Sequence, residues 1–344
     1  MLRFELIFRN HIFLSIRKIK IAALLLASVP IPAIAQNDYA NYPILNLTSG
    51  QNIEIFIEGR SVKTYVSPGM PSTLTISNTV AQSLYGKSAN KFASTFERIL
   101  SALAKDEFDN SPPRYNQAAI GTLKIRGQQR PANVRFEGAS DNQSVQWYQT
   151  DMHKFGEGLA GPYAIPAPVI RFALRPEQPG ETRFSMPLVF DGRRRIASTQ
   201  MSVGKKKVYF AFAPHFETTL ATAAAGSAIA ENNGGEFVGD PQQVIVAYNI
   251  ARPARPVQLK TPLSLGTMNM SKILVRSRDY GDTNAIKEAK SPDASDDEIL
   301  VQGKRKGTSP EYFVYVGNDM LKNCSSITYD KSAKKVTLSC LATN

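Results

Sequence analysis

The first recurring feature of the chain is its alternation of apolar and polar positions. Isoleucine occupies every second position of residues 53–57, and a turn follows at Gly59-Arg60. A period of two indicates a strand, and a helix-like segment runs from Ser77 to Leu84. The loop at residues 65–74 is therefore predicted to lie between a strand and a helix start.

The same order recurs in the second half of the chain. A strand is predicted over residues 207–212, and an alanine-rich helix is predicted over residues 221–230. We take Ser67 and Ala213 as position one of the two loops. Position two is then proline, position seven is threonine and position eight is leucine in both loops. The pattern predicts an internal repeat.

The layout of these loops resembles the retropepsin-like aspartic proteases, in which a strand ends in Asp-Thr-Gly-Ala and a threonine begins the return. In that family two such loops meet across a pseudo-dyad, and their carboxylates share one proton to activate a water molecule. Here Ser67 and Ala213 stand at the aspartate positions. Gly69 keeps the family's glycine in the first loop, and His215 replaces it in the second. The resemblance therefore implies the fold and argues against the chemistry.

Each half also ends in a segment that resembles the family's closing motif of an apolar strand, a glycine and a short helix. Residues 158–161 match this motif loosely. Residues 313–321 match it more closely, because Gly317 is followed by an x-Asp-x-Leu pattern. The resemblance implies a mainly β fold of two retropepsin-like (acid-protease-like) β-barrel lobes in tandem, with short helices.

The chain of 344 residues is long enough for two domains. Its predicted organisation has three parts. They are a signal peptide at residues 1–35, a first retropepsin-like domain at residues 36–203 and a second at residues 204–344. A polar insertion at residues 282–310 is predicted to be disordered. Within it, residues 296–306 run from acids through apolar residues to basic ones and look like a TonB box, which can add as a strand to another sheet. An exposed edge strand is the alternative.

Local patterns predict further elements inside the two lobes. Residues 119–125 and residues 133–136 are each predicted to form one short strand. The proline-rich residues 252–256 are predicted to form a loop. Residues 91–104 carry the apolar spacing of an amphipathic helix.

The N-terminus has the order of a secretory signal peptide. Basic residues 17–20 precede the apolar residues 21–29, and an A-x-A site ends at Ala35. Cleavage there would make Gln36 the first mature residue. The apolar run is too short for a stable membrane span, so no transmembrane segment is expected after cleavage. We expect a periplasmic or secreted protein; an uncleaved anchor is the alternative.

The two cysteines of the chain, Cys324 and Cys340, flank a predicted hairpin with its turn at residues 331–333. Pairing across this turn places the cysteines opposite each other, where a disulfide can form. An oxidising compartment would preserve the bond. Two facing free thiols are the alternative.

Composition and motifs bound the remaining chemistry. The net charge of +12 favours anionic partners, or serves solubility alone. No basic motif interleaved with aromatic residues supports nucleic-acid binding. Two cysteines without a nearby histidine do not make a zinc site, and no phosphate loop or dinucleotide fingerprint is found. The sequence therefore predicts no metal and no cofactor.

Ser67 and His215 form the one pair that suggests nucleophilic catalysis, because both loops would meet at the dyad. His215 as a filler of the vacant dyad is the favoured interpretation. The preferred function is non-catalytic binding of a peptide or envelope protein in the cleft between the lobes, by a pseudoprotease of the bacterial envelope. An active aspartic-type endopeptidase with carboxylates elsewhere is the second hypothesis. A structural partner of an envelope complex, recruited through residues 296–306, is the third.

Overall fold

The computed structural model describes residues 44–86, 114–120, 123–136, 139–149, 155–191, 196–247, 250–277, 283, 286–288 and 310–342. This part of the chain is mainly β with short helices, which confirms the predicted fold class. The predicted signal peptide, the predicted helix at residues 91–104 and the segment at residues 296–306 lie outside the described residues.

The strands and helices of the described residues have the following bounds. The earlier strands are β1 Leu45–Thr48, β2 Asn52–Ile57, β3 Arg60–Val66, β4 Leu74–Ile76, β5 Arg114–Ile120, β6 Leu123–Phe136, β7 Ala139–Tyr148, β8 Gly158–Ala160, β9 Val169–Ala173, β10 Thr182–Pro187 and β11 Val189–Asp191. The later strands are β12 Ile196–Val203, β13 Lys206–Phe212, β14 Leu220–Ala221, β15 Gly235–Phe237, β16 Gln242–Ala247, β17 Ile250–Leu265, β18 Met268–Arg276, β19 Lys287–Glu288, β20 Phe313–Val316, β21 Cys324–Asp330 and β22 Lys335–Cys340. The helices are α1 Asn78–Tyr85, α2 Ala223–Asn233 and α3 Asn318–Leu321, and a 3₁₀ turn covers Pro162–Ala164.

The first sheet closes into a barrel. Its strand order is β2-β3-β8-β4-β7-β6-β5, and β2 also pairs with β6 through Ile57 and Val134. Along β3, buried Val62 and Val66 alternate with more exposed residues, as expected for a strand with one face on a core. The six strands from β2 round to β6 therefore enclose an apolar interior.

The second sheet repeats this order of strands. The run β12-β13-β20-β14-β18-β17, with β16 paired to β17, corresponds strand for strand to β2-β3-β8-β4-β7-β6-β5. In both sheets the strand before the loop runs parallel to the closing strand, as β13 does to β20 through Phe212 and Val316. The two loops therefore leave equivalent places in two equivalent sheets.

The third sheet combines strands from both halves. Its order is β1-β9-β21-β22-β10, and β9 pairs antiparallel with β21, with Ile170 opposite Tyr329. Both of these side chains are fully buried. The sheet therefore joins the segment after the first barrel to the hairpin that follows α3.

Helix starts follow ordinary capping rules. The Ser77 hydroxyl accepts the Val80 N–H at 3.2 Å, so α1 begins at Asn78. The Thr222 hydroxyl accepts the Ala225 N–H at 3.4 Å, so α2 begins at Ala223. Both predicted helices are present, with bounds shifted by a few residues.

The predicted disulfide joins Cys324 and Cys340, which face each other in the register of β21 and β22. The turn between these strands covers residues 331–334, so the predicted turn at residues 331–333 is one residue too short. A bulge just after Cys324 takes up the extra residue and keeps the cysteines opposed.

Three predictions of local structure are wrong, one of them only for the few residues of the 282–310 insertion that the structure describes; the rest of that insertion lies outside the described residues. Residues 119–125 do not form one strand, because β5 ends at Ile120 and β6 begins at Leu123. The chain reverses there and returns as a single long strand. In the predicted disordered insertion, the described residues 286–288 hold the buried Ile286 and the short strand β19, which pairs with β15. These residues are ordered because β15 offers them a free edge.

The predicted loop at residues 252–256 is the third error, because β17 passes through it between β16 and β18. Pro253 and Pro256 cannot donate a backbone hydrogen bond. Both take part through their carbonyl oxygens, which accept the N–H groups of Ser277 at 3.0 Å and Val238 at 2.9 Å. The strand therefore accommodates these prolines because their carbonyl oxygens accept hydrogen bonds and no proline N–H is needed.

A buried ion pair stabilises one side of the third sheet, next to β9, β21 and β22. Arg175 contacts Glu181 at 2.6 Å, and the Glu181 side chain is only 2% exposed. The carboxylate also accepts the Gln178 N–H at 3.0 Å and the hydroxyls of Ser325 at 2.5 Å and Ser339 at 2.8 Å. Burial alone would raise the pKa of Glu181, but these hydrogen bonds outweigh it and lower the pKa to about 2.

The network predicts a pH-dependent stability. The folded pKa of Glu181 lies below its ordinary value of 4.5, so the contribution of the ionised form is complete above pH 4.5 and is lost as the pH falls to about 2. We expect Glu181→Gln to lower the free energy of unfolding at pH 7, with a difference from the wild type that shrinks towards pH 2. Urea unfolding at several pH values measures this difference. Glu177→Gln, at an exposed acid, is the control, and a difference that stays constant with pH would contradict the assignment.

Candidate functional site

The first loop is tied to the closing segment of its own barrel. The Ser67 N–H donates to the Ala160 carbonyl at 3.2 Å, and the Met70 N–H closes a tight turn on the Ser67 carbonyl at 3.1 Å. The Gly161 N–H donates to the Pro71 carbonyl at 2.8 Å. The loop is therefore held on both sides by backbone hydrogen bonds.

The second loop has a similar set of bonds. The Ala213 N–H donates to the Val316 carbonyl at 2.8 Å, and the Phe216 N–H closes the turn on the Ala213 carbonyl at 2.9 Å. The Asn318 N–H donates to the Phe216 carbonyl at 2.7 Å. The repeat in sequence thus corresponds to a repeat in backbone geometry.

One carboxylate anchors the second loop to α3. Asp319 Oδ1 accepts the Thr219 N–H at 3.0 Å, the Thr219 hydroxyl at 2.8 Å and the Met320 N–H at 3.0 Å. The Thr219 hydroxyl oxygen in turn accepts the Gly317 N–H at 3.0 Å. The aspartate of the x-Asp-x-Leu pattern therefore positions the loop. In the first half Tyr163 stands two residues after the glycine, where Asp319 follows Gly317.

The two loops touch at Gly69. A β-carbon built on Gly69 would lie 2.7 Å from the Ala213 β-carbon, 2.8 Å from its α-carbon and 3.0 Å from His215 Cε1. Only glycine fits such an approach. The structure therefore brings Gly69, Ala213 and His215 together, and each loop contributes part of the contact.

Ser67 lies two residues before this contact and is fully buried. Its hydroxyl has no hydrogen-bond partner among the described residues. A buried hydroxyl is poorly placed for attack on a substrate, and an activated nucleophile needs an adjacent base. The geometry favours a structural role for Ser67 over the Ser67–His215 pair.

A row of aromatic rings runs past the loops from one half to the other. Tyr65 lies 5.1 Å from Phe155, and Phe155 lies 6.0 Å from His215 between ring centroids. His215 lies 4.4 Å from Phe216, which lies 5.4 Å from Tyr315. All except Phe216 are partly exposed. We call these five residues the aromatic row; their scatter along the sequence gave no periodic signal.

The hairpins β5–β6 and β16–β17 pack against each other. The Arg252 guanidinium donates to the Ile120 carbonyl at 3.0 Å. A separate apolar cluster joins the hairpins to the second sheet and to Tyr148, and its buried members are Ile120, Ile125, Tyr148, Leu220, Val246, Ala254 and Leu274. The two halves thus meet at the hairpins as well as at the loops.

Two kinds of feature are absent from the described residues. No group of three or more histidine, cysteine, aspartate or glutamate side chains in this part of the chain is placed to hold a metal ion. Among the same residues, no helix has the length and apolar character needed to cross a membrane.

No protein-family model matches the chain, and no curated protein matches it. The strand order, the two loops and the side chains around them therefore provide the basis for assigning a function.

The contact at Gly69 predicts a steric effect that a second substitution relieves. We expect Gly69→Ala to lower the free energy of unfolding by about 1–3 kcal/mol, because the added methyl group overlaps Ala213. Ala213→Gly should recover part of the loss; the Ala213 α-carbon remains close. Urea unfolding of both single variants and the double variant measures the coupling. Additive effects would show that the loops are not in contact.

Proposed function

We propose that this protein is a retropepsin-like pseudoprotease that binds a peptide or an extended protein segment between its two halves without cleaving it. The observation that carries the proposal is the contact of the two equivalent loops at Gly69 and Ala213. Two loops that leave equivalent sheets and meet in this way support the resemblance to the family. The first residues of the two loops, Ser67 and Ala213, supply no carboxylate.

The side chains at the loops do not support aspartic-peptidase chemistry. That chemistry requires one carboxylate to take a proton from water while its protonated partner supports the carbonyl. Ser67 is not a base near neutral pH, and Ala213 has no ionisable group. Loss of a general base alone removes about 100- to 10,000-fold of rate, or about 3–5 kcal/mol of barrier lowering. Loss of both carboxylates leaves turnover near background.

The surroundings of the loops support binding. The aromatic row presents partly exposed rings on both sides of the contact, and such rings give large apolar surfaces for ligand side chains. Both halves contribute to these surfaces, as expected for a ligand that lies across them.

The disulfide supports the proposed location. Cys324 and Cys340 are bonded and fully buried. Disulfides of this structural kind persist in oxidising compartments. Together with the signal-peptide pattern of the sequence, the bond favours a periplasmic or secreted protein.

The first test concerns cleavage. We expect no product when the wild-type protein is incubated with a mixed peptide library at any pH from 3 to 8, because neither loop holds a catalytic carboxylate. Mass spectrometry of the library before and after incubation detects products. Pepstatin-inhibited cleavage that survives Ser67→Ala would instead establish the aspartic-type endopeptidase.

The second test concerns binding. We expect immobilised wild-type protein to retain a subset of the same library, and we expect Phe155→Ala to reduce retention by about tenfold, because hot-spot contacts concentrate on aromatic anchors. Phe190→Ala is the matched control, since Phe190 is 46% exposed and packs on Tyr163 outside the aromatic row. Retention by the wild type no greater than by a blank surface would refute the proposal. Equal losses in both variants would remove the aromatic row from the binding site.

A further inference from the structure

The aromatic row is a continuous set of rings that are inclined to one another. Consecutive ring centroids lie 4.4 to 6.0 Å apart, and the planes of neighbouring rings are inclined by 41° to 86°. Rings inclined in this way form ridges with shallow furrows between them, in place of one flat face. Tyr65 and Phe155 belong to the first half, and His215, Phe216 and Tyr315 belong to the second. A ligand that follows the row therefore contacts both halves.

The backbone beneath the row is already engaged. Tyr65 lies in β3, which pairs with β2 on one side and with β8 on the other. Tyr315 lies in β20, which pairs with β13 and β14 in the same way. The Phe216 N–H donates to the Ala213 carbonyl at 2.9 Å, and the Phe216 carbonyl accepts the Asn318 N–H at 2.7 Å. A ligand on the row therefore cannot bind by adding a strand to β3 or β20, the mode in which main-chain hydrogen bonds supply the affinity.

A proline-rich ligand suits a surface of this kind. A polyproline II helix makes no internal hydrogen bonds and is formed before it binds, so it loses little conformational entropy on an aromatic surface. Proline has no N–H, and its burial against a ring leaves no donor without a partner. The helix rises about 3.1 Å per residue, so about two ligand residues span the distance between neighbouring rings. The spacing of the rings thus suits one proline and its neighbour in each furrow.

The Tyr65 hydroxyl supplies a hydrogen-bond donor at one end of the row. Within the described part of the chain this hydroxyl makes no hydrogen bond, and the side chain is partly exposed. Burial of part of the side chain raises the pKa of Tyr65 above its ordinary value of 10.0, so the hydroxyl keeps its proton at neutral pH. The carbonyl oxygens of a polyproline II ligand have no partners within the ligand and can accept from such a donor.

We propose that the aromatic row binds a proline-rich segment in the polyproline II conformation, with prolines in the furrows between the rings and the Tyr65 hydroxyl donating to a ligand carbonyl. The inference deepens the proposed function by naming its ligand class, and it rests on that function. The contacts are apolar or hydrogen-bonded, so the affinity should change little with salt concentration.

The test uses three dye-labelled peptide pools of one length that differ only at the proline positions. The first pool carries prolines in a P-x-x-P spacing. The second has alanine in place of each proline, and the third has valine, which favours a strand. Fluorescence anisotropy measures the affinity of each pool for the wild type, Phe155→Ala and Tyr65→Phe. Phe190→Ala and Tyr163→Phe are the matched controls, because these two rings pack on each other at 4.8 Å outside the aromatic row.

We expect the wild type and both controls to bind the first pool about tenfold more tightly than either of the others, because a preformed helix costs less to order. Phe155→Ala should bind the first pool about as weakly as the second, since it removes a central ring of the row. Tyr65→Phe keeps its ring and should weaken binding of the first pool by about threefold, the effect of one lost hydrogen bond. Because Tyr65→Phe preserves the shape of the row, it tests the site even if Phe155→Ala does not fold.

The ligand class and the proposed function can fail separately. Equal affinity of the wild type for all three pools, or a preference for the valine pool, would overturn the proline-rich ligand and leave peptide binding intact. A proline preference that persists unchanged in Phe155→Ala and in Tyr65→Phe would place the ligand away from the aromatic row. If the wild type binds none of the pools but retains peptides of the mixed library, the ligand class alone fails. If it retains nothing from that library either, the proposed function fails with it.

Discussion

The pairing of β9 with β21 is the constraint on which the meeting of the two loops depends. Each strand follows the closing segment of its own half, after β8 in the first and after α3 in the second. Their antiparallel register, with Ile170 opposite Tyr329, therefore fixes the two closing segments relative to each other. Each closing segment holds a loop through backbone hydrogen bonds, so the register carries through to the contact of Gly69 with Ala213.

The two halves share a strand order and differ in how they hold their loops. The second half uses the Asp319 carboxylate, whereas Pro162 and Tyr163 occupy the corresponding stretch of the first half. There the Lys331 ammonium donates to the Ile165 carbonyl at 2.7 Å, and burial lowers the pKa of Lys331 to about 8. One loop is thus fixed by its own helix, and the segment beside the other is fixed by the hairpin β21–β22.

Local sequence patterns were sufficient for part of this structure. The strand at residues 53–57 and the helix that starts near Ser77 were predicted from neighbours in the chain, and both are confirmed. The facing cysteines followed from a single turn, although a bulge altered the register beyond them. At residues 252–256 the prolines suggested a loop, yet carbonyl acceptance keeps them within a central strand, and that outcome depends on the neighbouring strands.

The candidate site was only partly accessible from the sequence for the same reason. The four loop positions were identified because they repeat within the chain, and three of them meet. The aromatic row and the Glu181 network each combine residues from distant segments. No period or motif marks such sets, because their members become neighbours only when the sheets pack.

The composition of the third sheet sets an order on folding. All strands of the first barrel lie between residues 52 and 160, so its pairings are available as soon as that stretch has emerged. The third sheet joins β1, near residue 45, to β22, which ends at Cys340, and pairings over such sequence separations form late. During synthesis from the N-terminus, the first barrel can form before β21 and β22 have been made, and until then one of its sides is not covered by the third sheet. Formation of the Cys324–Cys340 bond then belongs to the last step of assembly.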